Sequence, residues 1–205
     1  MSPIATLPRL FGSLFYYAPN SINFNVLKPL LYQLPDLFNW DDLIDIKKYT
    51  DALKTQLIED DQAVNHAALQ YEFSLLFEGQ GVMRVPPWGS VYLDSENSLM
   101  GESAISYHNF LMDNHLSLDT GINEPEDQFG LMLLSFANLI EINKDDAAID
   151  LLEQHFYPWA LRYLDLLISS NISEFYATLA RIIKAYLIQL KEDLHLIPVV
   201  LELKF

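Results

Sequence analysis

The sequence predicts an all-α protein: a single globular multi-helix domain over residues 1–205, with two long functional loops. Three observations predict it. Apolar residues recur at three- and four-residue steps through most of the chain. No segment alternates between hairpin turns, and Val199-Val200-Leu201 is too short to support a sheet. No internal repeat and no linker breaks the chain into parts.

The first eighteen residues make the opening helix, with Leu10, Leu14 and Tyr17 on one face. A helix beginning near Asp61 runs to Phe77, where Gly79 and Gly81 stop it. Residues 78–96 form the first long irregular stretch. Residues 98–114 read as one more helix, and residues 116–123 as the second irregular stretch. Phe129, Met132, Leu133, Phe136, Leu139 and Ile140 mark the next helix. Leu151 to Leu167 fits a further pair, punctuated at Pro158. Phe175, Leu179, Ile182, Ile183, Tyr186, Leu187 and Leu190 form the buried stripe of the last long helix. Loops as long as the two irregular stretches are more often functional than not in a helical domain.

The first loop holds Arg84-Val85-Pro86-Pro87-Trp88-Gly89-Ser90-Val91-Tyr92-Leu93-Asp94. Two adjacent prolines fix φ and remove two N–H donors, so neither a helix nor a central strand passes through. Val85 is pushed toward an extended conformation. Gly89 lets the backbone turn after Trp88. A large amphipathic ring in a rigid, non-helical loop either plugs a core or lines a groove.

Composition narrows the partners. The chain carries 28 acidic against 12 basic residues, a net charge of −16. That balance argues against nucleic acid and anionic membrane surfaces, which need clustered Lys and Arg. It favours a cationic peptide or protein partner, although the charge also serves solubility. There are no cysteines, which excludes disulfides, iron–sulfur clusters, thiolate zinc sites and cysteine nucleophiles. The N-terminus lacks a basic region followed by an unbroken apolar stretch, so no secretory signal is expected. The densest apolar run, residues 131–140, is interrupted by Ser135 and Asn138 and is too short to span a bilayer. The expectation is a soluble, cytosolic protein without stable membrane insertion.

The second loop ends in Asn123-Glu124-Pro125-Glu126-Asp127-Gln128. One reading is a helix start: Asn123 or Glu124 caps, Pro125 opens the first turn, and the carboxylates complement the helix dipole. The other is a cation site. Glu124 and Asp127 are three residues apart and would share a helix face, where two carboxylates can hold a guanidinium through charge-assisted hydrogen bonds.

Taken in order, Phe73-Ser-Leu-Leu-Phe77-Glu-Gly79, Pro86-Pro87-Trp88-Gly89-Ser90-Val91-Tyr92-Leu93-Asp94, Leu99-Met100-Gly101-Glu102-Ser103 and Glu124-Pro125-Glu126-Asp127 resemble the TorD/DmsD/NarJ family of redox-enzyme maturation chaperones. Phe156-Tyr157-Pro158-Trp159, Arg162-Tyr163-Leu164-Asp165 and Ile197-Pro198-Val199 place the nearest resemblance in the branch that serves dimethyl sulfoxide reductase. The resemblance covers nearly the whole chain. It implies an all-helical, non-enzymatic, cytosolic chaperone. Its partner would be the twin-arginine signal peptide of a molybdopterin-dependent reductase subunit, held back from Tat export until the cofactor is inserted. Tat translocase components are implied as further partners. No resident cofactor is expected, and contact with a guanine nucleotide or the molybdopterin cofactor is implied by the resemblance alone.

The family motif is E-P-x-D-H. Glu124, Pro125 and Asp127 match it, and Gln128 replaces the usual His, which keeps hydrogen bonding and loses the titratable ring. Phe73 stands where Trp is frequent and loses the N–H donor. The expected peptide site places the arginines on Glu124 and Asp127. Leu76, Phe77, Pro87, Trp88 and Tyr92 would offer an apolar surface to the segment that follows, although core packing is the competing reading for Leu76 and Phe77. Ser90, Phe73, Pro125 and Gln128 belong to the same site, and Gly101 would allow close backbone approach. Trp88 is expected to be partly exposed, facing Glu124.

Two rivals stand beside this reading. Paired carboxylates can serve as general acid and base, but the chain has no nucleophile elbow, metalloprotease motif or phosphate-cradling glycine loop. His66, His108, His115, His155 and His195 are scattered, and His108 and His115 lie about 10 Å apart along an ideal helix, too far to share an ion. A helical structural or assembly subunit, with the Trp88 loop as a dimer contact, is the alternative that needs no peptide ligand.

Overall fold

The computed structural model describes residues 3–42, 44–62, 67–79, 82–95, 99–116 and 125–205. In chain order these form α1 (Pro3–Tyr16), α2 (Ile22–Leu31), α3 (Leu34–Leu37), α4 (Ile46–Gln62), α5 (Ala68–Phe77), α6 (Gly89–Leu93), α7 (Glu102–Asp113), α8 (Phe129–Glu141), α9 (Asp145–Asp150), a π-helical segment (Leu151–Phe156), α10 (Tyr157–Ser169) and α11 (Glu174–Asp193). Among the described residues the only β pairing is an isolated bridge. The predicted all-α class holds.

The chain divides into two compact units built from separated segments. Met1–Gly12, Pro87–Leu161 and Leu196–Phe205 form the first; Ser13–Pro86 and Arg162–His195 form the second. In the second unit α11 packs on α4, which also meets α2 and α3. The apolar stripe read from the sequence of α11 is buried throughout. Phe15, Phe73, Phe77 and Tyr176 form an aromatic cluster beside it, with Phe77 at 5.2 Å from Phe15 and 5.0 Å from Tyr176 in edge-on contacts.

In the first unit α8 packs on α9 and the π segment, and α7 packs on α6 and the π segment. The α1 residues of this unit meet α8 closely. A Cβ on Gly12 would stand 2.6 Å from the Gly130 carbonyl oxygen, so only glycine allows this approach. Arg9 and Glu141 pair at the edge of the same contact, Nη2 to Oε2 2.5 Å.

Several boundaries differ from the sequence expectations. The helix expected from Asp61 to Phe77 is α5, which begins only at Ala68, where the Asp60 carboxylate accepts the Leu69 N–H; Asp61 and Gln62 end α4. The helix expected over residues 98–114 begins at Glu102, where Asp94 Oδ1 accepts the Ser103 N–H at 3.0 Å. Gly79 stops α5 in a left-handed conformation (φ 65°), as expected; Gly81 lies outside the described residues. Pro158 does not split the chain into two helices but sits in the first turn of α10. It has no N–H for the Gln154 carbonyl, and the backbone before it widens into the π segment. α2, α3, α9 and nearly all of α4 lie where the periodicity gave no helix, and α6 lies inside the stretch expected to be irregular.

Candidate functional site

The site is built where the two loops meet, inside the first unit. Trp88 is extended (φ −112°, ψ 132°), and so is Gln128 (φ −65°, ψ 134°); the two form an antiparallel bridge. Gly89 N–H donates to the Asp127 carbonyl at 3.1 Å, and Phe129 N–H donates to the Pro87 carbonyl at 2.8 Å. The Pro86-Pro87 pair makes this geometry, since it forbids helix and leaves Pro87 only an acceptor to offer. Gly89 is required by space, because a Cβ there would lie 2.7 Å from Trp159 Nε1.

The acidic loop does not begin a helix at Pro125. Residues 125–128 are a non-helical turn, and Gln128 is the N-cap of α8, its Oε1 accepting the Leu131 N–H at 2.9 Å. The pairing with Trp88 holds Gln128 extended and delays the helix to Phe129. The argument that Glu124 and Asp127 share a helix face therefore does not apply to Asp127. Glu124, with Asn123, lies outside the described residues. Glu126 is drawn to the surface by His108, Nδ1 to Oε2 2.7 Å.

Asp127 turns inward. It is buried, and its Oδ2 accepts the Ser90 N–H at 2.6 Å, holding the first turn of α6. Burial pushes its carboxyl pKa up; hydrogen bonds from Ser90 oppose the rise, and the Asp94 charge adds to it. A cavity of about 310 Å³ opens beside it, walled by α6, α7, α8, the π segment, α10 and residues of the C-terminal segment. Asp127 Oδ1 is buried at this cavity without a hydrogen-bond partner among the described residues, and Ser90 Oγ and the Tyr107 hydroxyl are buried beside it. His155 also faces it; burial lowers the pKa of its ring, with Asp150 opposing, which favours the neutral imidazole. Burial raises the Tyr107 phenol, which stays neutral and able to donate. None of the lining residues is Lys or Arg. The wall offers one carboxylate and neutral hydroxyls, which suits a cationic group and not the phosphate of a nucleotide or of the molybdopterin cofactor.

The expected apolar surface is not there. Trp88 is 8% exposed, and Pro87, Ser90 and Tyr92 are buried with it. The expectation of a partly exposed Trp88 is corrected: its flanking backbone is tied on both sides to residues 127–129, and this draws the loop inward. Phe73, Leu76 and Phe77 are also buried, in the second unit, where Phe73 and Phe77 belong to the aromatic cluster. Gly101 does allow a close approach, but by Asp94: a Cβ would lie 2.6 Å from the Asp94 carboxyl carbon. Pro125 is half-buried in the turn. The sequence reading missed Tyr107 and His155 as site residues. Tyr107 is seven residues from Asn114 on the face of α7 that carries Leu111, a core signal that hides a polar tip.

Comparison with known proteins gives a consistent picture. Residues 43–165, more than half of the chain, match the family described as nitrate reductase delta subunit. Over 196 residues the chain is 33% identical to a Haemophilus influenzae protein named as a Tat proofreading chaperone DmsD, covering 96% of this chain and 94% of that protein. The Tat proofreading chaperone DmsD of Salmonella typhimurium is 32% identical over 196 residues, 95% of this chain and 92% of that one. The chaperone protein TorD of a Psychrobacter species is 29% identical over 167 residues, 77% of this chain and 73% of its own. An Archaeoglobus fulgidus crystal structure described as a redox enzyme maturation protein shares the fold, with a TM-score of 0.59 at 20% identity over 90% of this chain and 93% of that one.

Proposed function

This chain belongs to the nitrate reductase delta subunit family, and from that premise we propose that it is a cytoplasmic chaperone for one exported reductase system. It binds the twin-arginine leader of a molybdopterin-dependent reductase subunit, of the dimethyl sulfoxide or trimethylamine N-oxide reductase type. In doing so it delays Tat export until the cofactor is inserted. The relatives that match along nearly the full chain carry chaperone names, so the reading is of a binding protein without catalytic chemistry.

One observation carries the reading: a buried carboxylate oxygen of Asp127 with no partner among the described residues, at the wall of a cavity that also presents two buried hydroxyls. A guanidinium entering there would meet a charge already removed from water and acceptors already in place. The net charge of −16 steers a cationic leader toward the chain. Among the described residues no helix is long and apolar enough to cross a membrane.

Titration with a synthetic leader, two adjacent arginines followed by a leucine- and alanine-rich stretch, tests the proposal. Saturable binding that weakens with added salt and is lost when both arginines become glutamine is expected. Binding unaffected by loss of the arginines would overturn the role given to Asp127. The absence of any binding would leave the structural-subunit alternative.

A further inference from the structure

The last ten residues, Leu196 to Phe205, behave unlike the rest of the chain. They follow α11, yet they form neither helix nor strand. Only Leu196 of this segment is buried; Ile197 is 80% and Val200 97% exposed. Backbone bonds help to hold the segment down. Ile197 N–H donates to Glu153 Oε1, Val199 N–H to the Glu153 carbonyl at 3.0 Å, and Lys204 N–H to the Tyr92 carbonyl at 2.8 Å. The Phe205 ring packs edge-on against Tyr92 at 5.4 Å.

Those anchors flank two residues that line the Asp127 cavity. Glu153 is in the π segment and Tyr92 in α6, two of the elements that wall it, and Val199 and Leu201 between the anchors line it. Val199 and Leu201 thus meet the cavity wall, while Val200 between them is 97% exposed. The segment Val-Val-Leu-Glu-Leu-Lys-Phe is a mostly apolar peptide that places two side chains at the cavity.

We propose that residues 199–205 are a releasable strap, an intramolecular occupant of the apolar part of the leader site that an incoming leader displaces. The inference rests on the leader-binding reading above. The strap is tethered, so it competes at high effective concentration, and it is held by few bonds at an exposed surface, which places it among the segments that open first. Displacement exposes Tyr92, Val199's place beside Glu153 and the cavity wall to the apolar stretch of the leader, while Asp127 takes an arginine. Release of the strap thus uncovers an apolar surface that the buried Trp88 and Tyr92 do not offer while it is seated.

The test compares the full chain, a deletion of residues 199–205 and Lys204→Pro, which removes one anchoring N–H without touching the cavity wall. Each is titrated with the synthetic twin-arginine leader after circular dichroism has confirmed the helical fold. Both variants are expected to bind about tenfold more tightly, as for removal of an occupant filling the site nine-tenths of the time. In the full chain, leader is expected to speed hydrogen exchange at the Val199 and Lys204 amides. If the deletion fails to fold, Lys204→Pro and the exchange measurement decide. Equal or weaker affinity in folded variants, or unchanged protection of those amides in leader-bound protein, overturns the strap and leaves the leader site standing. No leader binding by any of the three proteins overturns both.

Discussion

Asp127 Oδ2 accepts a hydrogen bond from the backbone N–H of Ser90 at 2.6 Å, so the acidic loop and the Pro-Pro-Trp loop are one structure. The same carboxylate thus has two uses: one oxygen holds α6 in place, and the other, without a partner among the described residues, is free for a ligand. Asp127→Ala leaves the buried Ser90 N–H unpaired and is expected to destabilise the protein by about 1–3 kcal/mol in urea unfolding. Asp127→Asn keeps an acceptor for Ser90 and loses the charge. It is expected to fold normally and to bind leader at least about tenfold more weakly, the worth of a hydrogen bond to a charged group.

The raised pKa of Asp127 makes both stability and binding depend on pH, with opposite signs. Burial favours the protonated form in the folded protein, so the folded state holds more protons than the unfolded state above the ordinary carboxylate range. Stability from this group is full below the unfolded value and declines as pH rises through the higher folded value. Relative to Asp127→Asn, the parent protein is expected to lose stability as pH rises above the ordinary carboxylate range, about 4. A bound guanidinium favours the carboxylate, so leader affinity is expected to rise over that range, with proton release in calorimetry. A parallel fall of the two quantities would contradict the assignment.

Gly101→Ala tests whether this glycine serves a ligand or Asp94. The added methyl meets the Asp94 carboxyl, which caps α7 through Ser103. The expected result is a stability loss of about 1–3 kcal/mol by overpacking that Asp94→Ser partly relieves. A stable Gly101→Ala protein defective only in leader binding would instead place the peptide there.

Trp88 behaves as a core residue. Trp88→Ala is expected to destabilise by about 3–5 kcal/mol, and Trp88→Phe far less, since the indole N–H has no partner among the described residues. In a protein whose other tryptophans, Trp40 and Trp159, are replaced by Phe, Trp88 fluorescence is expected to resist iodide quenching. Ready quenching would restore the groove role.

The helical stripes were legible because burial of one helix face leaves a periodic mark on the chain. The α11 stripe is buried at every position, and the α8 stripe at all but Ile140, which is half-buried. Helix ends were less so. α5 begins where it does because Asp60 reaches the Leu69 N–H, and α7 because Asp94 reaches Ser103; both caps come from about nine residues away along the chain. The E-P-x-D motif was visible as a motif, but its helical reading failed at Gln128, whose extended backbone is imposed by Trp88.

By itself the sequence determined the fold class, the acidic character of the surface and the two loops that matter, since each of these depends on local pattern or composition. Whether Trp88 faced solvent or core, which way Asp127 turned, and that the last residues lie along the cavity were decided only by the tertiary structure. Those outcomes depend on hydrogen bonds between segments far apart in the chain, and no local pattern encodes which buried acceptor a distant N–H will find.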